Sequence, residues 1–138
     1  MEAKVTWHKG LTFTGSADSG FTLPLGGKKV VGGDEDGFVP MEMFLIGLAG
    51  CTGMDVISIL AKMKQEVTSF DVKVHADRVE NHPKIFSDIM IEYIVSGKNL
   101  DPKLVEKAVN LSETTYCPGQ AILSKTAKIE HKITILDE

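Results

Sequence analysis

The most constraining feature of the sequence is an apolar segment with no polar face. Residues 43–51 read Met-Phe-Leu-Ile-Gly-Leu-Ala-Gly-Cys, within a helical pattern over 40–66 whose opening proline suits a first helical turn. A helix that is apolar on every side must be covered on every side. Gly47, Gly50 and Gly53 would each weaken an exposed helix by about 1 kcal/mol, but in a buried helix they let another backbone approach. We therefore predict a central helix packed all round.

The rest of the chain alternates between strand and helix patterns. Its order predicts an α+β fold with a largely antiparallel sheet, because hairpins or single helices join the strands. Asp101 and Pro102 suit the N-cap and first turn of a second helix. Besides these two helices, the pattern predicts short strands at 5–7, 11–14 and 21–23, longer strands at 70–77, 85–96 and 127–136, and a short helix at 118–124. The second helix is expected to stop before Cys117-Pro118.

The length of the chain bears on how the central helix is covered. A chain of 138 residues predicts a single domain, residues 1–138, which buries roughly two-thirds of its unfolded surface. One small sheet cannot cover every side of the central helix. We therefore expect a second subunit to supply the missing cover, most simply in a symmetric homodimer.

Composition and charge bear on which partners the chain could have. The formal net charge is −4 and Arg78 is the only arginine, which argues against a nucleic-acid surface. The N-terminus has no apolar signal segment, and we expect no apolar run to reach the length of a membrane span. We therefore predict a cytoplasmic protein with no membrane partner. Thiols are kept reduced there, so a transient catalytic disulfide is more plausible than a permanent one.

The chain has two cysteines, Cys51 and Cys117, in different settings. Cys117 precedes Pro118 and would be the N-cap of the short helix, where the helix dipole and backbone N–H groups are expected to lower its pKa. At Cys51, apolar neighbours and Asp55 one turn later both oppose a thiolate. A reactive Cys51 needs a cation or donor from elsewhere, or a helix break at 50–53.

Each candidate also has a structural interpretation. Free cysteines are among the most buried residues and are usually inert. Arg78 could activate a thiolate or form a surface ion pair, and Asp55 could serve the site, form a structural hydrogen bond or cap a helix break. Glu42, nine residues before Cys51, lies on the opposite side of a straight helix. Because no metal-ligand spacing or nucleotide-binding motif is present, we predict no metal and no cofactor.

At these residues the sequence resembles the OsmC/Ohr family, the osmotically inducible protein C and organic hydroperoxide resistance proteins. The resemblance is closest to the OsmC-like branch and covers nearly the whole chain. The matching segments are Pro40-Met41-Glu42, residues 48–56 around Cys51, Ala76-Asp77-Arg78, residues 83–86 and Tyr116-Cys117-Pro118.

The resemblance implies an intertwined homodimer in which antiparallel sheets wrap around long central helices, with active sites at the subunit interface. It also implies a thiol-dependent peroxidase that reduces organic hydroperoxides and hydrogen peroxide. Cys51 would be the peroxidatic cysteine and form a sulfenic acid. Cys117 would resolve it as a disulfide, which an external thiol reductant reopens; dihydrolipoyl groups serve this role in parts of the family.

Two positions depart from the family pattern. The family's peroxidases place an arginine from the N-terminal region and a glutamate from the start of the cysteine helix beside the thiolate. Here the N-terminal region has no arginine, so Arg78 or a lysine would have to substitute. Glu42 is displaced by one residue, because Met41 follows Pro40. The alternative interpretation is a dimeric OsmC-like protein that binds an apolar ligand with little turnover.

Overall fold

The computed structural model of the protein describes residues 1–137. Across these residues the chain forms six strands and three α-helices, together with a 3₁₀ turn, Lys29–Val31, and a π-helical turn, Ser112–Tyr116. The elements are β1 Ala3–Lys9, β2 Thr12–Ala17, β3 Thr22–Leu25, α1 Pro40–Lys62, β4 Glu66–Arg78, β5 Phe86–Lys98, α2 Pro102–Leu111, α3 Pro118–Leu123 and β6 Lys128–Asp137.

The chain divides into two compact units, Met1–Phe44 and Leu45–Glu138. The first unit contains an antiparallel sheet of order β1-β2-β3. The second contains a sheet of order β4-β5-β6 together with α2, the π-helical turn and α3. The predicted α+β class is confirmed. The single domain over residues 1–138 stays a prediction.

The second sheet departs from the expected antiparallel pattern at one edge. β4 and β5 pair antiparallel from Glu66↔Lys98 to Arg78↔Phe86, but β5 and β6 pair parallel over their whole register. Parallel neighbours need a crossover connection, and α2, the π-helical turn and α3 supply it. The crossover matters for function because Cys117 lies in the middle of it.

The core of the second unit lies between the sheet and the helices that pack on it. Alternate residues of β5 are buried, as the sequence pattern predicts. On α1 every fourth residue from Leu48 to Leu60 is buried, which gives the helix a buried stripe. A cluster from α2 completes the core. These buried residues are Ile89, Ile91, Tyr93 and Val95 from β5, Leu48, Thr52, Val56 and Leu60 from α1, and Val105, Ala108 and Val109 from α2.

Helix α1 runs without interruption from Pro40 to Lys62, so the predicted alternative of a break at residues 50–53 is wrong. Gly53 lies close to β4, since a Cβ there would come within 3.3 Å of the Val72 side chain. By length and composition alone α1 could cross a membrane, so the expectation that no apolar run reaches that length is wrong. Core helices of soluble proteins have the same composition.

One side of α1 is open in the single chain. Beyond the neighbouring backbone of α1 itself, a Cβ at Gly50 would meet no atom of the described residues within 4 Å, and Met54 is 74% exposed. Ile46 and Ile57 extend this surface, which we call the open face of α1. The face lies opposite the buried stripe of the helix. Within one chain α1 is therefore covered along its buried stripe and left open on the other face. The homodimer that would cover the open face stays a prediction.

Candidate active site

The two cysteines, 66 positions apart in the sequence, meet in the folded chain. Their sulfurs lie 3.1 Å apart, and both are free thiols. A disulfide bond is about 2.04 Å long, so closing one would need an approach of about 1 Å. Cys117 is only 4% exposed, whereas Cys51 is partly exposed. The pair is therefore placed for reversible bonding, with Cys51 on the accessible side.

Local structure aims Cys117 at Cys51. The π-helical turn ends at Cys117, whose backbone N–H donates to the Ser112 carbonyl at 2.9 Å. Cys117 then caps α3, and its sulfur accepts from the Gln120 backbone N–H at 3.4 Å, which confirms the predicted N-cap. Gly119 packs beside both cysteines, because a Cβ there would lie 3.6 Å from the Cys117 sulfur and 3.6 Å from the Cys51 Cβ. Irregular π-helical turns are frequent at functional sites.

The prediction that Cys117 has a lowered pKa is wrong. Burial raises its pKa to about 11, and the hydrogen bond to the Cys51 sulfur adds to the rise. The backbone N–H groups of Gln120 and Gly119 act in the opposite direction without offsetting burial. The six-residue helix α3 has only a short stack of peptide dipoles to oppose desolvation. At neutral pH Cys117 is therefore a thiol, and it donates to the Cys51 sulfur.

This protonation state predicts unequal labelling of the two cysteines. At pH 8 we expect iodoacetamide to modify Cys117 about 100-fold more slowly than an exposed cysteine, because two pH units separate its pKa of about 11 from the ordinary value of 9.0. Time-resolved peptide mass spectrometry measures each site, and labelling in denaturing urea is the control, where both sites should react alike. Fast labelling of Cys117 in the folded protein would contradict the assignment.

A buried cluster of polar side chains lies next to the thiols. The Thr52 hydroxyl lies 2.8 Å from the Tyr93 hydroxyl and 2.8 Å from the Ser112 hydroxyl. Ser112 donates to Asp55 Oδ2 at 3.0 Å. The Gln120 side-chain amide donates to Thr52 at 3.2 Å and to Tyr93 at 3.3 Å. Burial raises the pKa of Tyr93 to about 12, so its hydroxyl keeps its proton over the physiological range.

The structure places the other predicted site residues as follows. Asp55 accepts from Ser112, which fits the predicted structural hydrogen bond rather than a cap at a helix break. Glu42 Oε1 accepts from the Val39 backbone N–H at 2.8 Å, at the start of α1. Arg78 Nε donates to the Lys84 carbonyl at 2.7 Å, which braces the turn between β4 and β5.

The cysteines are thus brought together, and Asp55 joins the polar cluster beside them. Within residues 1–137 of this one chain, neither sulfur accepts a hydrogen bond from a lysine or arginine side chain. Roles for Arg78, Glu42 and Asp55 in catalysis therefore stay predictions. The cation that a reactive Cys51 is expected to need has yet to be assigned.

Sequence reasoning missed the polar cluster, namely Thr52, Tyr93, Ser112 and Gln120. One signal for it is present in the sequence. Thr52 falls on the same four-residue repeat as the buried leucines and valine of α1, and a hydroxyl in a buried stripe must find a partner. The identity of that partner depends on the crossover, which brings Ser112 and Gln120 back to α1.

Together the mixed sheet, the crossover and the thiol pair define a class of two-cysteine α+β proteins. The sequence model of the OsmC-like protein family matches residues 32–132. The chain therefore belongs to the OsmC-like family. It is 38% identical to protein YhfA of Escherichia coli (strain K12) over 136 residues, which cover 99% of this chain and 98% of that protein.

Solved structures agree with this assignment. A hypothetical protein from Aquifex aeolicus VF5 superposes with a TM-score of 0.87 at 29% identity, covering 99% of this chain and 96% of the other. The organic hydroperoxide resistance protein OsmC from Legionella pneumophila superposes with a TM-score of 0.73 at 17% identity, covering 96% and 95%. At that identity the second match shows a shared fold alone. The OsmC/Ohr resemblance seen in the sequence is confirmed.

Proposed function

We propose that the protein is a thiol-dependent peroxidase that reduces organic hydroperoxides and hydrogen peroxide. The observation that carries the proposal is the contact of 3.1 Å between the two sulfurs, with buried Cys117 as donor and partly exposed Cys51 as acceptor. Membership of the OsmC-like family supports it. So does the shared fold of the Legionella pneumophila protein, which is described as an organic hydroperoxide resistance protein.

In the proposed first step, the Cys51 thiolate attacks one oxygen of the peroxide. An S–O bond forms and the O–O bond breaks, so that Cys51 becomes a sulfenic acid. The second oxygen of the peroxide leaves as an alkoxide, or as hydroxide when the substrate is hydrogen peroxide. It takes up a proton from the solvent to give the alcohol or water. Cys51 suits this step because its sulfur is the accessible one and accepts the hydrogen bond from Cys117.

In the proposed second step, Cys117 attacks the sulfenic sulfur of Cys51. The S–S bond forms as the S–O bond breaks, and the hydroxide leaves as water with the thiol proton of Cys117. Because the pKa of Cys117 is raised to about 11, that proton stays on the sulfur until the step occurs. An external dithiol, such as a dihydrolipoyl group, then reduces the disulfide and becomes a disulfide itself.

The proposed active form is a homodimer in the cytoplasm. The open face of α1 is apolar, and a second copy would cover it and complete the central pair of helices. A partner subunit could also supply the cation that Cys51 needs. Within one chain, Arg78 is the candidate for that role, and Glu42 and Asp55 are the other candidate site residues.

A stoichiometric thiol titration tests the proposal directly. One equivalent of cumene hydroperoxide should remove both thiols within seconds and give a disulfide between Cys51 and Cys117, identified by peptide mass spectrometry. Coupling to a lipoyl-dependent system should then give steady consumption of NADH. Two thiols that survive the peroxide, or a single thiol lost without a disulfide, would contradict the mechanism.

A second candidate function is binding of an apolar ligand with little turnover. The first unit, Met1–Phe44, contains an apolar cavity of about 490 Å³, within the size range of small-ligand pockets. The apolar side chains that line it include Val5, Phe21, Leu23, Leu25 and Met43. This function would gain support if an apolar ligand bound stoichiometrically while peroxide left both thiols intact.

A further inference from the structure

The four-residue polar cluster connects the segments that carry the two cysteines. Thr52 follows Cys51 on α1. Ser112 begins the π-helical turn that leads to Cys117, and Gln120 belongs to the helix that Cys117 caps. The cluster therefore ties both flanks of Cys117 to the residue next to Cys51. Tyr93, from β5, anchors the cluster on the sheet.

The hydrogen bonds of the cluster have one consistent direction. Ser112 has a single hydroxyl proton and donates it to Asp55, which as a carboxylate can only accept. Thr52 must then donate to Ser112, and Tyr93 must donate to Thr52. The two N–H groups of Gln120 donate to Thr52 and Tyr93. Every hydroxyl proton of the cluster is thus used once, which leaves little freedom for a second arrangement.

The segments around Cys117 have little structure of their own to hold them. The π-helical turn has five residues and α3 has six, and helices this short are not stable without tertiary contacts. A buried polar group that loses its partner costs about 1–3 kcal/mol, so the segments cannot shift without breaking the cluster at a cost. Fully satisfied networks of this kind make one geometry preferred over others.

We infer that Thr52, Tyr93, Ser112 and Gln120 form a positioning device for the thiol pair, which holds Cys117 within reach of Cys51 and so sets how readily their disulfide closes. The inference deepens the proposed function, since resolution of the sulfenic acid uses the same pair. The property it concerns is the dithiol–disulfide equilibrium of the chain, which can be measured without peroxide. Misplacing a reacting group by about 1 Å can cost about 100-fold in rate.

The test compares Thr52→Val with Thr52→Ser. Valine keeps the shape of threonine and removes the hydroxyl, whereas serine keeps the hydroxyl and removes a methyl group. Equilibration with mixtures of reduced and oxidised glutathione measures the exchange in which two glutathiones open the disulfide and leave as one oxidised glutathione. In Thr52→Val we expect closure to be about tenfold less favourable, which is a reduction potential about 30 mV more positive. Thr52→Ser should stay close to the natural chain.

Tyr93→Phe provides a second route to the same result, because it removes only the hydroxyl that donates to Thr52. After peroxide treatment, both hydroxyl-deleting variants should also accumulate more Cys51 sulfinic acid, since the sulfenic acid waits longer for Cys117. Unchanged potentials in Thr52→Val and Tyr93→Phe would overturn the inference. Equal shifts in Thr52→Val and Thr52→Ser would also overturn it, because packing would then be the cause.

The outcome is separable from that of the proposed function. If the natural chain turned over no peroxide but the potentials shifted as expected, the proposed function would fail and the positioning role would stand. If the natural chain reduced peroxide but the reduction potentials of Thr52→Val and Tyr93→Phe did not move, the proposed function would stand and the positioning role would fail. A natural chain that formed no disulfide even in oxidised glutathione would count against the positioning role itself.

Discussion

Replacing Cys51 with serine should abolish peroxide reduction, with a fall in turnover of at least about 1,000-fold, the scale seen when an enzyme loses its nucleophile. A serine hydroxyl is not ionised at neutral pH and cannot form a sulfenic acid, so neither the S–O bond nor the later disulfide can form. The measurement is NADH consumption in the lipoyl-coupled assay with cumene hydroperoxide. The thiol titration of the same variant should show Cys117 intact after one equivalent of peroxide.

Cys117→Ser is the matched control, because it makes the same exchange of sulfur for oxygen at the other cysteine of the pair. This variant keeps the proposed nucleophile, so it should release one equivalent of alcohol in a single turnover and then stop. Dimedone, which traps sulfenic acids, should label Cys51 in this variant. If Cys117→Ser gave no alcohol while Cys51→Ser kept its turnover, the roles of the two thiols would be the reverse of those proposed.

The sequence was most informative where chemistry follows from local pattern. The apolar segment around Cys51 predicted a long central helix, and α1 begins at the predicted Pro40. The alternation in β5 predicted a buried face that includes Tyr93, and this face is buried. Cys117 was placed correctly as an N-cap, because Pro118 marks the first turn of the following helix.

Properties that depend on tertiary contacts were harder to predict. The helix N-cap favours a thiolate at Cys117, yet burial from distant parts of the chain outweighs it and raises the pKa. The parallel pairing of β5 and β6 depends on the path of the crossover that joins them. The local periodicity of the sequence carries no information about that path. The same crossover brings Ser112 and Gln120 to Thr52, so the polar cluster could not be predicted from the sequence either.

The second large effect is expected at the open face of α1, where Gly50→Arg should convert a dimer into monomers. If two α1 helices pack at this face, an arginine at Gly50 would bring an unpaired charge into an apolar contact, which costs several kcal/mol. A cost of about 4 kcal/mol corresponds to a dissociation constant about 1,000-fold larger. Sedimentation velocity should show the natural chain at twice the 15.0 kDa of one chain, and the variant as a single chain.

The stability of Gly50→Arg gives an independent answer, because an isolated chain and a dimer predict changes of opposite sign in the free energy of unfolding. In an isolated chain a Cβ at Gly50 would have open space beyond the backbone of its own helix, and replacing an exposed mid-helix glycine raises stability by up to about 1 kcal/mol. In a dimer closed over this face the replacement lowers stability. Asn110→Arg, at an exposed position of α2, adds the same charge and should change neither the mass nor the urea midpoint by much. A Gly50→Arg variant that is more stable and unchanged in mass would show that α1 does not pack against a second copy at this face.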